Sequence, residues 1–226
     1  MTHELAPLID HTNLYPDALD QDLERLVDEA ETHGFHAVCV YPDDVGLVVD
    51  RSETIQICSV VGFPHGRDPS RIKQETARHA VQQGADEIDM VIHQGALRQG
   101  EHDRVRSDIE AVREAVPGTL KVILETCNLT PVQIREGCRI AGAAGADFVK
   151  TSTGFGEYGA RVDDVAAMAE AIDRYDLSLG IKASGGIKHE SQVYEFIEEA
   201  ELRPDPSIFR IGASRSLQII GEGDDR

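Results

Sequence analysis

No apolar run in this 226-residue chain approaches the roughly 20 consecutive residues that a membrane span requires. The N-terminus, Met1-Thr2-His3-Glu4, has neither the basic segment nor the apolar stretch of a signal peptide. A soluble cytoplasmic protein with no membrane partner is therefore expected. Cysteine is sparse: Cys39, Cys58, Cys127 and Cys138 stand at irregular spacings and form no CxxC pair, so they read as buried thiols. The nine histidines form no HExxH motif, and no metal is expected. Lysine is rarest of the charged residues, occurring only at 73, 121, 150, 182 and 188, while Asp plus Glu number 41. The net charge of −19 repels phosphate backbones and anionic lipid, which excludes nucleic acid as a partner. A carboxylate-rich, lysine-poor surface suits a salt-rich cytosol, where ionic strength screens self-repulsion. The expectation is a halophilic protein, with an ordinary acidic enzyme as the alternative. No Ser/Gly-rich linker or low-complexity tract divides the chain, so residues 1–226 read as one domain.

Present throughout is an alternation of short β-rich runs with amphipathic helical stretches, the pattern of parallel strands joined by crossover helices. The strand candidates are Leu8 to Thr12, His36 to Tyr41, Ile55 to Val61, Glu87 to Ile92, Leu120 to Glu125, Asp147 to Thr151, Leu179 to Ala183 and Ile208 to Gly212. Eight strands in a chain of this length predict an α/β fold, a single (β/α)8 TIM barrel. An open doubly wound sheet is the rival, because periodicity does not report closure. Leu19, Leu23, Leu26, Val27 and Ala30 fall at helical spacing, as do Val105, Ile109, Val112 and Val116, and Val162, Val165, Met168, Ala169 and Ile172. Thr130, Pro131 and Gln133 form an N-cap with a capping box. Gly84-Ala85-Asp86 and Gly145-Ala146-Asp147 each end a helix and hint at a repeated unit.

In such a barrel the functional side chains stand at the C-terminal ends of the strands. Lys150 closes the run Ala146-Asp147-Phe148-Val149-Lys150, and Lys182 lies in Leu179-Gly180-Ile181-Lys182. A hydrated ammonium in an apolar strand needs a reason. The plainer reason is a buried carboxylate partner for each; the other is chemistry. Two ammonium groups about 6 Å apart repel by roughly 3 kcal/mol at an effective dielectric of about 20, or about 2 pK units. Adding desolvation brings a lysine towards about 7 to 8, where its neutral amine attacks carbonyls. Asp89, within Asp86 to Val91, faces the interior and suits a proton shuttle. Asp10 and Glu125 are further strand-end acids, for which a salt bridge is an equal reading.

Ser184-Gly185-Gly186 follows the seventh strand and Gly212-Ala213-Ser214 the eighth, the places where barrels bind phosphate through backbone N–H groups. Simple turn glycines are the alternative. Gly154 to Gly159 matches GxGxxG, but it comes late, lacks the acid at the next strand end, and follows the polar Lys150-Thr151-Ser152-Thr153. A dinucleotide site is not expected.

The string Asp147-Phe148-Val149-Lys150-Thr151-Ser152-Thr153-Gly154 resembles the Schiff-base segment of the deoxyribose-phosphate aldolase family. Gly180-Ile181-Lys182-Ala183-Ser184-Gly185-Gly186-Ile187 resembles its second-lysine segment. Similarity extends over nearly the whole chain, through Ile9 to Thr12, Cys39 to Pro42, Gly62 to Gly66, Glu87 to Val91 and Arg210 to Ser214. The resemblance implies a class I aldolase barrel without metal or organic cofactor. Its reaction would be reversible cleavage of 2-deoxy-D-ribose 5-phosphate to D-glyceraldehyde 3-phosphate and acetaldehyde, in deoxyribose phosphate catabolism. It implies that Lys150 forms the imine, that Lys182 and Asp89 serve activation and proton relay, and that Gly154, Gly185, Gly186, Gly212 and Ser214 contact the phosphate. Asp10, Thr153 and Glu125 are expected to support them, and a homo-oligomer, dimer or tetramer, is expected. Asn13 and Tyr15 stand where Leu and Lys are frequent, Arg215 where some members have Ser, and the tail from Gly221 to Arg226 lacks the terminal Tyr of some members. Another Schiff-base aldolase or transaldolase, and a non-catalytic phosphosugar-binding barrel, are the alternatives.

Overall fold

The computed structural model describes residues 4–52 and 54–222; Met1-Thr2-His3 and the last four tail residues, on which the leader and tail expectations partly rest, lie outside them. Eight parallel strands close into a barrel in chain order. They are β1 (Ile9–Thr12), β2 (Ala37–Val40), β3 (Gln56–Val61), β4 (Glu87–Val91), β5 (Thr119–Ile123), β6 (Phe148–Lys150), β7 (Gly180–Ser184) and β8 (Phe209–Ala213). Closure is made by β1 against β8, where Ile9 pairs with Ile211 and Asp10 with Gly212. The open sheet is thereby excluded.

Each strand overlaps its expected run, with shifts at the ends. Leu8 sits in a 3-10 turn, Ala6–Leu8, and Glu125 lies beyond β5 in the left-handed region with φ 58°. The crossover helices are α1 (Asp20–His33), α2 (Val45–Arg51), α3 (Ser70–Gln82), α4 (Gln94–Gln99), α5 (His102–Arg113), α6 (Pro131–Ala143), α7 (Val162–Arg174) and α8 (Glu190–Glu199); α9 (Ser216–Ile219) follows β8. Helix α1 buries Leu23, Leu26, Val27 and Ala30, the expected face. Leu19 is a correction: it is the exposed N-cap residue, because the helix starts one position later and its apolar stripe begins at Leu23. Val105, Ile109 and Val112 are the apolar stripe of α5, whereas Val116 is buried beyond its end. Thr130 caps α6, its Oγ1 accepting from Gln133 N at 3.3 Å while Gln133 Oε1 accepts from Thr130 N at 2.9 Å.

The two Gly-Ala-Asp segments do the same work in two places. Asp86 Oδ2 accepts from Ile57 N at 2.8 Å, and Asp147 Oδ2 from Leu120 N at 2.8 Å. Each aspartate thus satisfies an N–H at the start of the preceding strand while its own N–H joins the ladder, to Ile57 O and Leu120 O. The strands alternate in facing. Ile9, Val38, Ile57, Ile88, Met90, Val122, Val149, Ile181 and Ile211 pack outward against the helices in the main apolar core. The inward positions carry Asp10, Glu87, Asp89, Lys121, Lys150, Lys182 and Arg210, so this lumen is filled by charge, with a small apolar cluster of Leu14, Cys39, Cys58 and Val60 at one side.

Candidate active site

Lys150 is the last residue of β6, and it pairs in register with Ile123 and with Lys182 of β7. It is buried, yet it lines a cavity of about 340 Å³ at the C-terminal mouth of the barrel. Beneath it lies Asp89. Its Oδ2 accepts from Lys150 Nζ at 2.8 Å and Lys182 Nζ at 2.9 Å, and its Oδ1 from Lys121 Nζ at 2.9 Å and Cys58 Sγ at 3.1 Å. Asp89 and Lys182 are fully buried and lie below the cavity floor, outside its lining.

The contacts continue into a closed circuit. Lys182 Nζ lies 2.5 Å from Asp10 Oδ2, and Asp10 Oδ1 accepts from Arg210 at 2.8 Å. Arg210 also donates to Glu87 Oε1 at 2.8 Å, and Glu87 Oε2 lies 2.6 Å from Lys121, which returns to Asp89. Asp89, Lys182, Asp10, Arg210, Glu87 and Lys121 therefore form a ring of alternating charge across the lumen. His36, on the opposite face, stands 3.8 Å from Glu87.

The carboxylates and ammonium groups of the ring stabilise one another's charged forms. Burial alone would raise Asp89, but Lys121, Lys150 and Lys182 together hold its carboxyl well below the ordinary range. Burial would lower Lys182, yet Asp10 and then Asp89 raise it above the usual lysine value. The Asp89 carboxylate sits between the Lys150 and Lys182 ammonium groups and accepts from both. Lys121, absent from the sequence-based site, is likewise raised well above its usual value against burial, chiefly by Asp89. The signal that singled out Lys150, a lysine inside an apolar strand, was present at Leu120-Lys121-Val122 too. Lys73 completes the pattern: it is buried against Asp108 Oδ2 at 2.5 Å, so only Lys188 of the five lysines is exposed.

The remaining predicted residues fall into two groups. Gly154, Gly185, Gly186, Gly212 and Ser214 line the Lys150 cavity, together with Ser184, Lys188 and Arg215. Its charged lining residues are all cationic, and among the described residues neither Lys188 nor Arg215 has an ion-pair partner. Gly185 has φ +85°, and a Cβ there would meet Gly159 Cα at 2.9 Å; Gly186, at φ +75°, faces open space. Such backbone brings N–H groups and an anion together. Glu125 and Thr153 form the second group. The Glu125 carboxylate accepts from both the backbone N–H and the hydroxyl of Thr153, and Thr153 Oγ1 accepts from Phe155 N at 3.1 Å. That fixes the chain leaving β6. Phe155, half-exposed at the mouth, sets its edge on Phe63 with centroids 5.5 Å apart.

Of the cysteines, Cys39, Cys58 and Cys138 are buried, and burial pushes Cys138 up to about 12; Cys127 is only half-buried. Cys39, Cys58 and Asp89 bring ligand-type atoms within 4.8 Å of one another, but both Asp89 oxygens there are engaged by lysine ammonium groups.

A closed barrel whose strand-end lysine opens into a glycine-lined, cationic cavity is the architecture of a Schiff-base aldolase. The chain belongs to the DeoC/LacD family of aldolases, whose model matches residues 5–214. It is 45% identical to a deoxyribose-phosphate aldolase of Aciduliprofundum boonei, covering 96% of each chain. It is 42% identical to one of Thermococcus gammatolerans, over 96% of this chain and 95% of that one. A crystal structure of a putative deoxyribose-phosphate aldolase from Coccidioides immitis superposes with a TM-score of 0.92 at 36% identity, covering 98% of this chain and 86% of that chain. The tetrameric deoxyribose phosphate aldolase of Aeropyrum pernix gives 0.84 at 29%, over 98% and 91%.

Proposed function

We propose that the protein cleaves 2-deoxy-D-ribose 5-phosphate reversibly to D-glyceraldehyde 3-phosphate and acetaldehyde, with Lys150 as the nucleophile. One observation carries this reading: Lys150 lines a cavity while Lys73, Lys121 and Lys182 are fully enclosed, and that cavity is lined by cations and glycine backbone suited to a phosphate. Lys150 attacks C1 of the open-chain aldehyde, and loss of water gives a protonated imine that accepts the electron pair of the C2–C3 bond. As that bond breaks, the C3 hydroxyl gives up its proton and glyceraldehyde 3-phosphate leaves. Protonation of the enamine at C2 and hydrolysis release acetaldehyde and restore the amine. Asp89 and Lys182 lie one layer below Lys150, so they exchange protons with the reacting atoms through Lys150 or an entering water.

The same reading covers setting and assembly. A cytoplasmic, salt-adapted enzyme is supported by the −19 charge and by a surface from which four of five lysines have been withdrawn. A homo-oligomer is supported by the tetrameric Aeropyrum pernix relative. The test is borohydride reduction with 2-deoxyribose 5-phosphate, followed by peptide mass mapping. The adduct is expected on Lys150. An adduct on Lys182, or none on the intact protein, would overturn the assignment.

A further inference from the structure

The lumen ring has a charge count that bears on how Lys150 becomes a free amine. Lys182, Arg210 and Lys121 alternate with Asp89, Asp10 and Glu87, three cations against three carboxylates. Lys182 and Arg210 each touch two ring carboxylates, and Lys121 touches all three, Asp10 at 3.8 Å. Lys150 is attached from outside, sharing Asp89 Oδ2 with Lys182 and touching no other carboxylate within 4.0 Å among the described residues. With Lys150 protonated the buried cluster carries one cation in excess; with Lys150 neutral it is balanced. A net charge in a low-dielectric lumen is costly, so balance favours removing a proton from the least-bound cation.

We infer that this closed ring is the device that releases the Lys150 amine, and that Lys121, on the neighbouring strand β5 with no surface in the cavity, is a positioning residue acting through Asp89. Lys121 holds Asp89 Oδ1, leaving Oδ2 aimed at Lys150 and Lys182. Glu87 and Arg210 hold Lys121 and Asp10 from the floor. The charged and titratable groups facing Lys150 are Asp89 from β4, Lys121 from β5, Lys182 from β7, Asp10 and Arg210 from β1 and β8, the thiols of Cys39 and Cys58 from β2 and β3, Glu125 after β5, and Lys188 and Arg215 across the cavity. Neutralising a ring member changes the charge around Asp89 directly, whereas Glu125, also buried, is engaged by the backbone N–H and hydroxyl of Thr153.

The inference rests on Lys150 as the nucleophile, and its test separates the two. The readout is the rate of borohydride-trapped imine formation against pH, measured on intact protein alongside kcat and KM. Lys121→Met leaves the ring one cation short, so Lys150 is retained as ammonium. The acid limb of the imine-formation profile should move up by at least about one pH unit, with kcat at pH 7 falling at least about tenfold and KM nearly unchanged. Glu87→Gln leaves the ring one carboxylate short and should move the limb down. The Lys121→Met/Glu87→Gln double variant restores balance and should return the limb to near its wild-type position. A loosening of structure would move all three the same way. Opposite single shifts with recovery in the double support the inference. Limbs that coincide with wild type, or singles that shift in one direction, overturn it. If Lys121→Met does not fold, the sign of the Glu87→Gln shift alone decides. Failure of the wild type to trap imine at Lys150 would instead sink the proposed function.

Discussion

Gly186 and Ser214 approach the same cavity from different loops, and they separate the two ways a phosphate can be held. Gly186 has nothing within 4 Å of where a Cβ would stand, so Gly186→Val fills the space an anion would use and also strains a backbone at φ +75°. Ser214→Ala removes about one hydrogen bond to a charged group, roughly 1.5 to 3 kcal/mol, or about 10- to 150-fold. Both variants should lower kcat/KM for 2-deoxyribose 5-phosphate far more than for free 2-deoxyribose. An unchanged ratio of the two in both variants would transfer the phosphate to Lys188 and Arg215. At this scale the sequence was legible where a residue was rare for its setting. Lysines 150, 182 and 121 all stand inside apolar strands, but only the first two lie in strings that resemble a family segment, and what Lys121 meets depends on neighbouring strands. Glu87 and Arg210 were missed for a related reason. A charged residue within a strand reads as exposed or strand-terminal until the inward face of a closed barrel is known to be polar.

Among the elements, caps and turns carried their meaning in short sequence. Thr130-Pro131-Val132-Gln133 specifies the start of α6, and both reciprocal hydrogen bonds are formed. Thr130→Ala should cost about 1 kcal/mol, lowering Tm by about 2 to 4 °C, with kcat/KM unchanged because α6 contributes nothing to the cavity lining. A loss of activity matching the loss of stability would show that α6 holds the β6 loop. Strand ends were less legible. Glu125 reads as the end of a strand, yet its backbone turns left-handed just past β5, which lets the carboxylate reach Thr153 on the next loop. No local pattern announces such a turn at a glutamate. It persists because contacts 28 residues away hold it.

For the molecule as a whole, charge is distributed in two opposite ways. The surface is strongly acidic, with Lys73, Lys121, Lys150 and Lys182 withdrawn into the interior, while the lumen is close to balanced. Molar KCl should therefore raise Tm by about 2 to 4 °C for each kcal/mol of surface repulsion screened, and leave the buried ring unaffected. The check is Tm in low salt and in molar KCl; equal values would remove the salt-adapted reading. Taken alone, the sequence determined the α/β class, the number of strands, the faces of the helices and the motifs around Lys150 and Lys182, because each is written in local periodicity or in a short contiguous string. Closure of the barrel, the ring through Asp89, Lys121, Glu87, Arg210, Asp10 and Lys182, and the standing of Lys150 outside it were decided only by tertiary structure. These depend on which inward side chains from β1, β4, β5, β7 and β8 meet across the lumen. That meeting is set by strand tilt and register, which no single segment encodes.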